Sequence, residues 1–170
     1  FPTHYTSDYT NKVLSMVIDG IRDFIAMGNS VVLTIRLKHD NTMQIVKNYI
    51  QDKCLSGLEI LIDDGSGETY QSLISRSNSV FAIGFTSPGM ESILLNKKAA
   101  FVTVYKDIYS NVVSEISENF VLYDHHEVCQ FLASNRQSVN SLIDRLDPYR
   151  DNFMSTRMGK IIKSEMHRNQ

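Results

Sequence analysis

The sequence has little of what disordered or membrane-embedded proteins require. Its 170 residues include only eight glycines and three prolines, and no low-complexity block interrupts them, which is typical of a folded globular protein. No apolar run approaches the roughly 18 residues of a membrane span. We therefore expect a soluble protein without a membrane span, which could meet a membrane only peripherally, through a larger parent protein.

An excess of positive charge is also lacking. Lys and Arg number 17 against 19 Asp and Glu, for a formal net charge of -2, and the cationic residues are scattered along the chain. Proteins that bind nucleic acid need a basic surface to contact the phosphates. Nucleic acid is therefore not expected as a partner.

Cysteine and targeting signals are scarce as well. The two cysteines, Cys54 and Cys129, lie far apart inside apolar-periodic segments, which favours buried free thiols in a reducing, cytoplasmic compartment over a disulfide. No signal peptide is visible. The first residue is Phe1 rather than Met, which suggests a domain excised from a larger protein or a processed product.

What the sequence does contain is a regular alternation of helical and β patterns. Apolar residues spaced by three and four from Leu14 to Ile25 predict an amphipathic helix over about 7–26, ended by Gly28 and Asn29. Short apolar runs predict strands at 31–35, 58–62, 80–84, 100–105 and 120–123. Helical patterns occupy 41–54, 70–75, 88–95, 127–133, 138–146 and 152–166. Strands that are apolar on both faces and alternate with helices predict an α/β fold, with a doubly wound, Rossmann-like parallel sheet of about five or six strands and helices on both faces. Residues 1–170 are expected to form a single domain.

Ligands in such folds bind outside the carboxyl ends of the strands, and the loop after the third predicted strand has the most suggestive sequence there. Thr86 and Ser87 precede a helix, Ser87 suits its N-cap, and Pro88 suits its first position. Gly89 would let a phosphate approach the backbone. Glu91 lies one turn from Ser87, where its carboxylate could accept hydrogen bonds from ribose hydroxyls. An ordinary helix cap, with Glu91 complementing the helix dipole, explains the same residues equally well.

A hydrolase site at this loop is rejected on chemical grounds. The spacing around Ser87 does not fit the G-x-S-x-G nucleophile elbow. The residue after the nucleophile must also donate its backbone N–H to the oxyanion, and Pro88 has none.

The remaining loops offer weaker candidates. His39, beside Lys38, could meet a phosphate or form an exposed polar loop. The turn of Asp64, Gly65, Ser66 and Gly67 could contact a base, a sugar or a cation, or simply cap the next helix. His125, His126 and Cys129 have a spacing that could ligate zinc, but a helix start with a buried Cys129 is favoured. Lys97 and Lys98 are expected in a solvated turn. No metal or cofactor is expected.

Residues 79–105, SVFAIGFTSPGMESILLNKKAAFVTVY, have the pattern of a strand, a Ser/Thr loop, a helix with Glu, a small turn and a strand. This stretch and two further segments resemble the donor-binding, C-terminal domain of GT-B-type glycosyltransferases of bacterial surface-polysaccharide synthesis. The turn has Asn96-Lys97-Lys98 where the family usually has Gly-Lys-Pro. Residues 31–40, VVLTIRLKHD, are similar to a strand ending in a His-Pro motif, with Asp40 at the proline position. Residues 146–162, LDPYRDNFMSTRMGKII, resemble the family's closing segment.

The resemblance implies a nucleotide-sugar donor site and gives each candidate a role. It implies that His39 acts catalytically at the donor phosphate, that Ser87 and the backbone near Gly89 bind phosphate, and that Glu91 binds ribose. The 64–67 turn would lie near the base. The acceptor site and general base would belong to an N-terminal domain that is not part of this sequence. The alternatives are a noncatalytic α/β regulatory or protein-binding module, a UDP-sugar epimerase and a polyol-phosphate transferase domain.

Overall fold

A computed structural model of the chain describes residues 7–36, 46–50, 56–84, 86–105 and 121–134. The helices are α1 (Ser7–Ala26), α2 (Tyr70–Arg76), α3 (Ser87–Leu94) and α4 (His125–Ala133), and residues 46–50 are helical too. The strands are β1 (Val31–Arg36), β2 (Leu58–Asp63), β3 (Ser79–Ile83), β4 (Lys98–Val102) and β5 (Val121–Leu122). The helices predicted at 138–146 and 152–166 lie outside the described residues. Across the ranges just given, no helix combines the length and the apolar character that crossing a membrane requires.

The predicted first helix is confirmed. Its apolar stripe is buried, with Val13 and Ile18 fully inaccessible to solvent, because residues spaced by three and four share one face of a helix. The helix ends before Gly28, whose φ of 91° lies in the left-handed region that glycine adopts without strain.

The strands are parallel, as the sequence predicts. β1 pairs with β2 from Val31–Leu58 to Arg36–Asp63, and β4 pairs with β3 on one side and β5 on the other. The α/β class is therefore confirmed. The strands form a two-stranded sheet and a three-stranded sheet, whereas the sequence predicted one sheet of about five or six strands. The described parts of the two sheets are connected through side chains, since Leu33 of β1 and Ile83 of β3 pack against the same buried cluster.

Helices cover both faces of the three-stranded sheet. Ala100 and Val102 of β4 belong to the cluster that α1 and α4 also build. The residue between them, Phe101, faces the opposite way along the strand and borders Gly89 of α3. The helix α3 therefore lies on the face opposite α1 and α4.

The turn between α3 and β4 has an asparagine in the left-handed region. Asn96 has a φ of 57°, a left-handed conformation that asparagine tolerates better than other side chains. The N–H of Asn96 donates to the Ile93 carbonyl, and the N–H of Lys97 donates to the Ser92 carbonyl, the pairing of a Schellman cap. Asparagine thus supplies the backbone geometry for which glycine is usual.

The prediction of a solvated turn at Lys97 and Lys98 is wrong. The ammonium group of Lys97 donates to the carbonyls of Ser75 and Ser77 at the end of α2. Lys98 begins β4 and donates to the carbonyls of Leu132 and Ser134 at the end of α4. Burial lowers the pKa of Lys98. Both lysines bind carbonyls that the ends of helices leave without intrahelical partners.

Candidate functional site

Arg36 is the last residue of β1, at the carboxyl edge of the two-stranded sheet, and its side chain binds the end of β2 and the loop that follows it. Its Nη1 lies 2.6 Å from Asp63 Oδ2 and 2.6 Å from the Glu68 carbonyl oxygen. The side chain of Arg36 is 31% exposed and that of Asp63 is 17% exposed. A partly shielded guanidinium therefore stands beside the acidic turn, for which the sequence leaves open a contact with a base, a sugar or a cation, or a helix cap.

The acidic turn is held by its own residues. Asp63 Oδ1 accepts the Gly65 N–H, and Asp64 Oδ1 accepts both the N–H and the hydroxyl of Ser66. These bonds from Ser66 lower the pKa of Asp64. Gly65 has a φ of 86°, which the tight turn requires. A side chain at Gly67 would meet open space, so this corner of the turn is accessible to a ligand.

The helix that follows the acidic turn is capped by a residue outside the 64–67 turn. The side-chain oxygen of Thr69 accepts the Ser72 N–H and caps α2. Asp64 is therefore not used as the helix cap.

At the start of α3, the N-cap residue differs from the prediction. Thr86 occupies the N-cap, with extended backbone and no side-chain capping bond, and its carbonyl accepts the Met90 N–H. Ser87 and Pro88 are the first two helical residues. The prediction that Ser87 is the N-cap and Pro88 the first helical residue is wrong by one position. Pro88 brings no N–H to the first turn, so Ser87 and Gly89 are the backbone donors there.

Gly89 has a packing role that the sequence did not reveal. A Cβ atom at this position would lie 2.4 Å from Phe101 Cε1 and 2.7 Å from Ala82 Cβ. The absence of a side chain therefore lets α3 approach β3 and β4 closely, and this constraint alone requires glycine.

Glu91 lies near Tyr70 of the neighbouring helix. Burial raises the pKa of Tyr70 to about 12, and the hydrogen-bonding and charge interactions with Glu91 act in the same direction. Tyr70 begins α2, directly after the 64–69 loop, so Glu91 lies near the second predicted loop.

Tyr70, which follows the 64–67 turn, lies near Glu91 of the 86–91 segment, whereas His39 lies outside the described residues. Sequence reasoning missed Arg36 and Tyr70. Arg36 is the last residue of an apolar strand, and Tyr70 is the first residue of a helix. Both flank loops at the carboxyl edge, so including the residues on either side of each loop would have identified them.

A second group of polar side chains lies after β5. Asp124 caps α4 by accepting the Glu127 N–H, and the rings of His125 and His126 are 3.9 Å apart between centroids. The Oδ2 atom of Asp23, on α1, lies 4.0 Å from His125 Nε2. Cys129 is free and half-buried, where the sequence predicted a buried thiol.

A shallow cleft of about 410 Å³ lies at the opposite end of the two-stranded sheet. It is lined by residues 30–32 and 57–59, which begin β1 and β2. Glu59 is the ionisable residue in this lining, so the cleft has little of the chemistry that the carboxyl edge offers. Comparison with protein-family models, with curated proteins and with solved structures finds no match to this chain.

Proposed function

We propose that the chain is the nucleotide-sugar donor-binding domain of a cytoplasmic glycosyltransferase of cell-surface polysaccharide synthesis. The observation that carries the proposal is the electrostatic interaction of Tyr70 with Glu91, because these residues follow the two loops for which the resemblance implies contacts with the base and the ribose. In this proposal both strand sets belong to one doubly wound, Rossmann-like sheet. A nucleotide would lie across the edge where these loops meet, as in other doubly wound folds.

Each group then has a chemical role. Glu91 has lone pairs beyond the one that Tyr70 occupies, so its carboxylate can also accept ribose hydroxyls. The N–H groups of Ser87 and Gly89 would bind phosphate at the positive end of α3. Arg36 and His39 would stabilise the negative charge that the leaving nucleoside phosphate gains in the transition state. The acceptor and the general base would come from an N-terminal domain, so we expect this chain alone to bind the donor without completing transfer.

Calorimetric titration of the chain with UDP, CMP, CDP and GDP tests the proposal. We expect one of them to bind, and Glu91→Ala to weaken it at least tenfold, as the loss of hydrogen bonds to a charged group predicts. Ser87→Ala should weaken it less, because the Ser87 N–H remains. Tyr70→Phe keeps the carboxylate and should retain most of the affinity. Glu59→Ala, an exposed residue of β2, is the matched control and should bind like the wild type.

The result that would overturn the proposal is a folded protein that binds none of the four nucleotides. That outcome would favour the noncatalytic α/β module, which needs no nucleotide site. Equal loss of affinity in Glu91→Ala and Glu59→Ala would show that the binding site lies elsewhere.

A further inference from the structure

Three metal-ligating side chains converge where α4 packs on α1. A carboxylate oxygen of Asp23 and one ring nitrogen each of His125 and His126 all lie within 4.8 Å of one another. Asp23 and His125 are half-buried, and His126 is exposed. Histidine nitrogen and carboxylate oxygen are the ligands that Zn²⁺ prefers beside cysteine. None of these residues takes part in the nucleotide site proposed above.

The ligand atoms lie somewhat farther apart than those of a bound zinc ion. Asp23 Oδ2 and His125 Nε2 are 4.0 Å apart, beyond hydrogen-bonding distance. Two ligands that are each about 2.0–2.1 Å from a zinc ion lie roughly 3.3 Å apart in a tetrahedron. The ligand atoms would therefore have to close by roughly 1 Å, a change that rotation of partly exposed side chains can supply.

The helices α1 and α4 approach each other closely beside the cluster. A Cβ atom on Gly20 of α1 would lie 2.6 Å from the His125 carbonyl oxygen and 2.6 Å from Val128 Cβ. Glycine at this position lets the start of α4 lie directly against α1, three residues before Asp23. The packing of the two helices thus fixes the spacing of ligands that are about 100 residues apart in sequence.

Two sulfur atoms lie one helical turn beyond this cluster. Cys129 stands four residues after His125 on α4, and its Sγ lies 3.9 Å from Met27 Sδ at the end of α1. Residues four apart share one face of a helix, so Cys129 lies on the side of α4 that carries His125. The two imidazoles of the cluster favour zinc over magnesium or calcium, which bind oxygen.

From this arrangement we infer that Asp23, His125 and His126 form a Zn²⁺ site that ties α1 to α4. Three protein ligands leave a fourth position for water or for Cys129. The site departs from the expectation, drawn from sequence alone, that the chain holds no metal, because the aspartate comes from a distant helix.

Calorimetric titration of the metal-stripped, tag-free chain with ZnCl₂ near neutral pH tests the inference. We expect one equivalent to bind, and binding of CoCl₂ to produce the visible absorption of a site with nitrogen and oxygen ligands. MgCl₂ should not bind detectably. At a hundredfold excess of Zn²⁺ over its Kd, Tm should rise by about 5–10 °C for a domain of this size.

Substitution of the ligands locates the ion. His126→Gln and Asp23→Asn should each weaken Zn²⁺ binding at least tenfold, while Asp8→Asn, at an exposed position on the same helix, and His167→Gln should leave it unchanged. Circular dichroism establishes that each variant is folded. Absence of Zn²⁺ binding in the folded wild type would overturn the inference. So would equal affinity of the wild type and the two ligand variants.

Discussion

At the scale of single residues, folding changes the acidity of Tyr70. It is part-buried and lies near Glu91, and its pKa rises from an ordinary value of 10.0 to about 12. Burial is the larger cause, since a tyrosinate shielded from water beside a carboxylate would be poorly solvated. The proton on Tyr70 is therefore stabilised by burial and by the neighbouring Glu91 of the proposed nucleotide site.

This pKa predicts how the stability contributed by Tyr70 varies with pH. Below about pH 10 the Tyr70 hydroxyl is protonated in both the folded and the unfolded state, so its contribution to stability is complete. Between about pH 10 and pH 12 the unfolded chain loses this proton before the folded protein does, so the contribution to stability falls. Tyr70→Phe should lower the free energy of unfolding by about 1–2 kcal/mol at neutral pH. Denaturant titrations of both proteins should show this difference shrinking as the pH rises through 10–12.

The control for this experiment is Glu91→Gln, which removes the charge but keeps an acceptor for the Tyr70 hydroxyl. Tyrosinate absorbance should show a late-titrating tyrosine in the wild type, the same tyrosine at a lower pH in Glu91→Gln, and one late-titrating tyrosine fewer in Tyr70→Phe. A difference in stability that stayed constant up to pH 12 would contradict the assigned role of Tyr70.

At the scale of elements, glycine residues let helices pack closely against their neighbours. Gly89→Ala would place a Cβ 2.4 Å from Phe101 Cε1, so α3 would have to move away from the sheet. The higher helix propensity of alanine would stabilise the variant by about 1 kcal/mol relative to glycine. The steric overlap of the new Cβ would destabilise it by about 1–3 kcal/mol. We expect a net loss of about 1 kcal/mol, measured by chemical denaturation.

The matched control is Gly67→Ala, at a loop position where a Cβ meets nothing within 4 Å. Its free energy of unfolding should stay within about 0.5 kcal/mol of the wild type. Should Gly89→Ala prove as stable as Gly67→Ala, then the close packing of α3 on β4 would be refuted.

The elements themselves were largely predictable because their signals are local. The bounds of α1 follow from the spacing of its apolar residues and from Gly28, and β1 and β2 extend one residue beyond their predicted ends. Contacts between distant residues were not predictable. The sequence around Lys98 resembles any polar turn, and only the folded chain places the end of α4 beside it.

The same limit applies to the candidate sites. The Ser-Pro-Gly sequence marked the start of α3 correctly to within one residue, but the contact of Glu91 with Tyr70 depends on how α2 and α3 pack. His125 and His126 were visible as a pair of potential ligands. Asp23 could not be associated with them, since nothing in a single sequence indicates which distant helix packs against α4.

At the scale of the whole molecule, one cluster connects the two described sheets. Val102 of β4 is fully buried in a cluster with residues of α1, β5 and α4, and Leu33 of β1 and Leu58 of β2 pack against the same cluster. The prediction of a single domain therefore has a physical consequence. If the sheets depend on one core, then a cavity beside β4 must weaken β1 and β2 as well.

Val102→Ala tests this dependence. Loss of two buried methyl groups, with the cavity left behind, should lower the free energy of unfolding by about 2 kcal/mol. Native-state hydrogen exchange should then show amide protection in β1–β2 and in β3–β4 reduced by the same factor, about thirtyfold, because both would open only by global unfolding. Val32→Ala, at a valine that is 59% exposed, should leave protection in both sheets nearly unchanged. Protection lost in β3–β4 but retained in β1–β2 would contradict the single domain, since two sheets that unfold separately cannot share the core on which this prediction depends.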